Sequence, residues 1–75
     1  MQIYQNLDGA SAVTSFLIGP DSITVEFNGD AAYLYDYDQP GSGAVEQMKT
    51  LALSGRGLNS YINKHVGKNY AAKLR

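Results

Sequence analysis

Arg56, Ser60, Lys64 and Lys68 recur at every fourth position, a spacing that on a helix winds slowly along one flank. Asn59 and Asn63 fall beside them, and Lys73 and Arg75 extend the series. Such a basic, amide-rich strip can neutralise a few phosphates of a nucleic acid. Tyr33, Tyr35 and Tyr37 recur at every second position, which on a strand puts them on one face. Rings beside a basic strip can stack unpaired bases, worth about 1–3 kcal/mol per base. Six tyrosines among 75 residues is a high count, and tyrosine suits places where one end of a ring must stay wet. The same residues also fit a solvated helix face beside structural tyrosines.

Other constellations carry less. In Ser54-Gly55-Arg56-Gly57 two glycines bracket an arginine ahead of a helix. That arrangement can offer amides to a phosphate, but it has neither P-loop nor dinucleotide spacing and equally describes a helix–helix turn. His65 is the single imidazole, and nucleophilic catalysis needs a base beside a nucleophile. On a helical count His65 falls within an apolar arc, so it is expected to pack against the sheet. Asp36 and Asp38 share a strand face next to a linker, where solvated charge is the plain reading. The lone histidine and the absence of cysteine leave no zinc spacing and no disulfide or thiolate chemistry. The expectation is a non-enzymatic domain with no cofactor, metal or catalytic residue.

The elements that must position these residues follow from periodicity. Residues 2–4 read as a short strand. Ala12 to Ile18 is apolar, with Val13, Thr14, Phe16 and Ile18 favouring strand. Gly19-Pro20-Asp21-Ser22 is a turn. Ile23, Val25 and Phe27 then alternate with polar neighbours in a strand with one wet face. Asn28-Gly29-Asp30 is a hairpin turn, and the tyrosine strand follows. A two-residue loop opposes Phe27 and Ala32 and turns the tyrosines to the face of Thr24 and Glu26. A three-residue loop opposes Val25 and Tyr33 and turns them to the core. A one-residue slip exchanges the faces, and both registers remain open.

After residues 38–43 the period becomes helical. Val45, Met48, Leu51 and Ala52 form the stripe of a first helix, with Ser42 as its N-cap and Gly55 at its left-handed end. A second helix from about Gly57 places Leu58, Tyr61, Ile62, His65 and Val66 on one arc. Residues 68–75 add a helical turn edged by Tyr70 and Leu74. The fold class is therefore α+β: a three- or four-stranded antiparallel meander followed by two helices packed on one sheet face. Residues 1–75 form a single small domain, whose core is thin at this size.

Charge divides the chain. All seven acidic residues lie at or before Glu46 and all six basic ones at or after Lys49. This split fits either attraction between the two halves or an anionic partner for the basic one. Apolar runs such as residues 16–18 are too short to span a membrane. Residues 1–4 lack the regions of a signal peptide, so the expected setting is cytoplasmic, without membrane contact.

The order of motifs resembles the KTSC domain, found at the C-terminus of some lysyl-tRNA synthetases and as small bacterial and phage proteins. The residues that carry the likeness are Tyr33-Leu34-Tyr35, Pro40, Ala52-Leu53-Ser54 and Asn59-Ser60-Tyr61-Ile62, spanning about residues 13–70. The chain departs from the family pattern in having Leu58 at an aromatic position and one residue fewer between Ser54 and Asn59. The resemblance implies an RNA-binding domain of no assigned activity. Combined with the charge map, it gives Arg56, Lys64 and Lys68 as phosphate contacts and Tyr33, Tyr35 and Tyr37 as base contacts. Because Glu26, Asp30, Asp36 and Asp38 surround the tyrosine strand, the basic flank of the second helix is favoured over the tyrosine row. The alternative function is protein interaction or self-association through an exposed sheet edge or the tyrosine face.

Overall fold

A computed structural model describes residues 1–75. Five antiparallel strands form one sheet in sequential order: β1 (Gln2–Ile3), β2 (Val13–Ile18), β3 (Ser22–Phe27), β4 (Ala31–Asp36) and β5 (Ala72–Lys73). Between β4 and β5 run helix α1 (Ser42–Ser54) and helix α2 (Leu58–Tyr61), the latter continuing as a π-helical turn over Ile62–Val66. The class is α+β, a meander followed by two helices.

The hairpin between β3 and β4 takes the three-residue loop. Phe27 pairs with Ala31, Val25 with Tyr33 and Ile23 with Tyr35. Asn28 and Gly29 both hold positive φ, 57° and 76°, conformations that asparagine and glycine tolerate best. This register sends Tyr33 and Tyr35 to the same face as Ile23, Val25 and Phe27, towards the helices. At Val13/Ser15 the pairing of β2 with β3 shifts. Both Val13 and Phe16 are thereby buried, although three positions apart.

Helix α1 seats on the sheet through Val45, Met48 and Ala52, all buried. Its N-cap is Gly41, with φ 118° and no side-chain cap bond, rather than the expected Ser42, because Ser42 already lies inside the first turn. The helix ends where Gly55, left-handed at φ 77°, donates its N–H to the carbonyls of Leu51 and Ala52. Leu7 N–H donates back to the Gly55 carbonyl at 2.8 Å, and the Tyr4 hydroxyl accepts from Leu58 N–H at 3.4 Å. The first strand and loop thus clamp the helix–helix turn. Gly57 is also left-handed, at φ 78°, so the two glycines flanking Arg56 serve that turn.

Two further expectations are corrected here. Residues 68–75 do not form a helical turn. Ala72 and Lys73 pair with Leu34 and Tyr33 as β5, because β4 otherwise leaves an edge of unpaired backbone groups. His65 does not pack against the sheet; it is exposed and lies against the Tyr61 ring at 4.9 Å. The reason is local winding. Gly67 N–H bonds the Ile62 carbonyl five residues back, and this wider turn advances each residue by less than the roughly 100° of an α-helix. Ile62 and Val66 stay on the buried side while His65 rotates off it.

Candidate nucleotide cleft

The three-residue hairpin loop and the returning fifth strand together create a cleft of about 490 Å³ beside the core. Tyr33 and Tyr35 come to it from β4, Tyr70 from the segment before β5, and Phe27 from the end of β3. The rings are mutually packed. Tyr33 lies 4.7 Å from Tyr70 at a tilt of 44°, and Tyr35 meets Tyr70 edge-on at 6.4 Å. Phe27 meets Tyr33 edge-to-face at 5.8 Å. Edge-to-face and tilted pairs of this kind are the favoured aromatic geometries.

Two lysines and two asparagines add further polar groups to the lining: Lys68, Lys73, Asn28 and Asn63. Lys73 Nζ stands 6.0 Å from the centre of the Tyr33 ring, within reach of a cation–π attraction. No carboxylate lines the cleft.

Tyr35 occupies a special position. Its residue surface is 2% exposed, so it cannot offer a ring face for stacking. It nevertheless lines the cleft. No buried side-chain oxygen or nitrogen in the protein lacks a partner, and none of the side-chain hydrogen bonds involves the Tyr35 hydroxyl. The oxygen must therefore reach open space, and the cleft is the space beside it. Burial, reinforced by Tyr33 and Tyr70, pushes its ionisation up to about 12, so the hydroxyl stays protonated and able to donate at neutral pH.

The structure brings together Tyr33, Tyr35 and Lys68 from the residues singled out by spacing. It separates the others. Tyr37 lies in a different depression, lined by Asp21, Asp36 and Asp38. Its hydroxyl donates to the Glu46 carboxylate at 2.7 Å, and that bond raises its ionisation. A phosphate approaching there would meet negative charge. Arg56 and Lys64 are exposed and do not line the cleft. The every-fourth-residue strip is broken by the π turn, and Lys68 falls beyond the helix.

Only two of the six basic residues are in ion pairs. Lys49 pairs with Glu46 along α1 at 2.9 Å, and Arg75 pairs with Glu26. Glu26 also accepts from the hydroxyls of Ser15 and Thr14. Arg75 foremost, and then those hydroxyls, hold its carboxyl below the usual range. The charge split is thus partly internal. Arg56, Lys64, Lys68 and Lys73 remain without a carboxylate partner.

Sequence reasoning passed over Tyr70 and Asn28 as cleft residues and gave Lys73 only as an extension of the basic strip. Lys73 and Tyr70 were assigned to a helical tail, and only the return of β5 shows where they go. The available signal was Tyr70-Ala71-Ala72-Lys73 itself, short and lacking charge at its centre, which suits an added edge strand. On the sheet's other face Ile3 and Leu17 are exposed at 78% and 55%. No group of three His, Asp or Glu side chains is placed to hold a metal ion, and no helix is long and apolar enough to cross a membrane. Comparison of the chain with family models, curated proteins and solved structures found no match.

Proposed function

We propose that this protein is a non-enzymatic, single-stranded nucleic-acid-binding module, with RNA as its ligand, and that it is of the KTSC type. The observation that carries the reading is the cleft, where mutually packed tyrosines adjoin two unpaired lysines and no carboxylate. Single strands are bound by this combination, rings taking base faces and cations tracking the backbone. Arg56 and Lys64, also free of carboxylates, extend the positive field to a strand leaving the cleft. Weak binding is expected, because four cations and a small aromatic platform supply few contacts. A cytoplasmic setting accords with such a ligand.

A fluorescence anisotropy titration with a labelled single-stranded decanucleotide tests the reading. Binding should be seen at low salt and should weaken as salt rises. Each phosphate-contacting lysine removed should reduce the slope of log affinity against log salt by about 0.7. Substituting Lys68→Ala and Lys73→Ala together should therefore flatten that dependence and weaken binding. No binding at low salt, or binding indifferent to the double substitution, refutes the proposal.

A further inference from the structure

The cleft has room for one small ligand. Tyr33 is flanked by Tyr70, by the edge of Phe27 and by the Lys73 ammonium. Tyr35 is closed over. Tyr33 and Tyr70, both half-buried, keep part of their rings open and form the platform that an incoming ring can meet. The volume of about 490 Å³ lies in the range of pockets that take one small molecule, about 300–1,000 Å³.

Around that platform stand groups without partners inside the protein. The Tyr35 hydroxyl opens towards the cleft, and its residue is more than nine-tenths buried. Asn28 and Asn63 line the cleft, and their side-chain amides bond nothing within the protein. A base edge presents both donors and acceptors, and amides and hydroxyls are the side chains able to match either. Lys68 and Lys73 share the same cleft, where a phosphate attached to the base's own sugar would lie.

We infer that the cleft is a one-nucleotide pocket, in which an unpaired base packs against the Tyr33–Tyr70 pair, its edge is met by the Tyr35 hydroxyl and the Asn28 and Asn63 amides, and its phosphate is held by Lys68 and Lys73. This inference rests on the nucleic-acid reading. It adds that the unit recognised is a single nucleotide, whether free or within a strand, and that the remaining phosphates of a strand contribute charge alone.

The test is a chemical-shift titration of the whole protein with adenosine 5′-monophosphate, uridine 5′-monophosphate, adenosine and inorganic phosphate in parallel, beside the decanucleotide. The monophosphates should shift the signals of Tyr33, Tyr35, Tyr70 and Lys73 in a saturable way. Adenosine and phosphate should each bind at least about tenfold more weakly, since either forfeits one half of the contacts. Tyr35→Phe removes a hydroxyl that bonds nothing in the protein, so the fold should be unchanged. Affinity for the monophosphate should fall about threefold to tenfold, the worth of one hydrogen bond. Lys64→Met should weaken the decanucleotide and leave the monophosphate unaltered.

Several outcomes overturn the inference. One is inorganic phosphate reproducing the monophosphate's shifts, which would mark an adventitious ion only. Others are shifts centred on Arg56 and Lys64, or a Tyr35→Phe variant that binds as the parent does. If the decanucleotide binds and the monophosphates do not, the pocket is refuted and nucleic-acid binding stands. If neither binds, both are refuted.

Discussion

The phenol of Tyr35 belongs to two environments. Its ring is part of the apolar core with Phe16, Ile23 and Met48, while its oxygen borders the cleft. Burial raises its ionisation from 10.0 to about 12. Because the folded-state value is raised, the stability it contributes is fully present below pH 10. That contribution is lost as pH climbs through the folded-state value near 12. A phenolate absorbance titration of the parent, minus that of Tyr35→Phe, should show this tyrosine ionising near 12. Loss of the fold should accompany its ionisation. An ordinary value near 10 in that difference curve would contradict its burial. At this scale the sequence discloses residue types well and neighbours poorly. The regular spacing of Tyr33, Tyr35 and Tyr37 was visible, but Tyr37 lies past the end of β4, where alternation no longer governs which way a side chain points. His65 was misplaced for a related reason, since an α-helical count does not hold across a π turn.

The strands and the first helix were legible because each has a strong local period. The alternation Ile23-Thr24-Val25-Glu26-Phe27 and the stripe Val45, Met48, Ala52 both mark faces that are buried. Register across the hairpin was not legible, because two loop lengths fit Asn28-Gly29-Asp30 and pairing is a long-range choice. The fifth strand was hidden as well, since two paired residues give no period at all. Glycine at the helix–helix turn allows a test of how closely these elements are packed. Gly55 and Gly29 both have positive φ, near 77° and 76°, so alanine is strained at each. At Gly29 an added Cβ meets nothing within 4 Å, whereas at Gly55 it would lie 2.8 Å from Gln5 Cβ. Urea unfolding should show Gly55→Ala more destabilising than Gly29→Ala by about 1–3 kcal/mol, the cost of overpacking. Equal losses would mean that the loop carrying Gln5 and Leu7 yields freely to the helix end.

Across the whole molecule, the Arg75–Glu26 pair ties the last residues to the middle of the sheet on the side away from the helices. Ala71 and Leu74 donate their N–H groups to the carbonyls of Leu34 and Ala32, and these bonds hold β5 against β4. Arg75→Ala should speed hydrogen exchange at the Ala71 and Leu74 amides and leave the amides of the β3–β4 ladder protected. Unchanged exchange at both would show that the pair does not secure the strand. Acid should act in the same sense. The Glu26 carboxyl is held below its ordinary 4.5, so its contribution is present above that pH and is lost as pH falls through the depressed folded-state value. The charge split in the sequence pointed to such a bridge without revealing its two ends, because pairing between distant residues leaves no local trace. The order of the strands has a further, kinetic consequence. Strands β1 to β4 pair with neighbours in sequence, whereas Leu34 meets Ala72 only after both helices have been threaded between them. Closing that long loop carries an entropy cost before any contact rewards it. The four-stranded part can therefore assemble early, with β5 docking late. The tyrosine–lysine cleft would then be the last surface a folding chain acquires and the first it surrenders when the sheet edge frays.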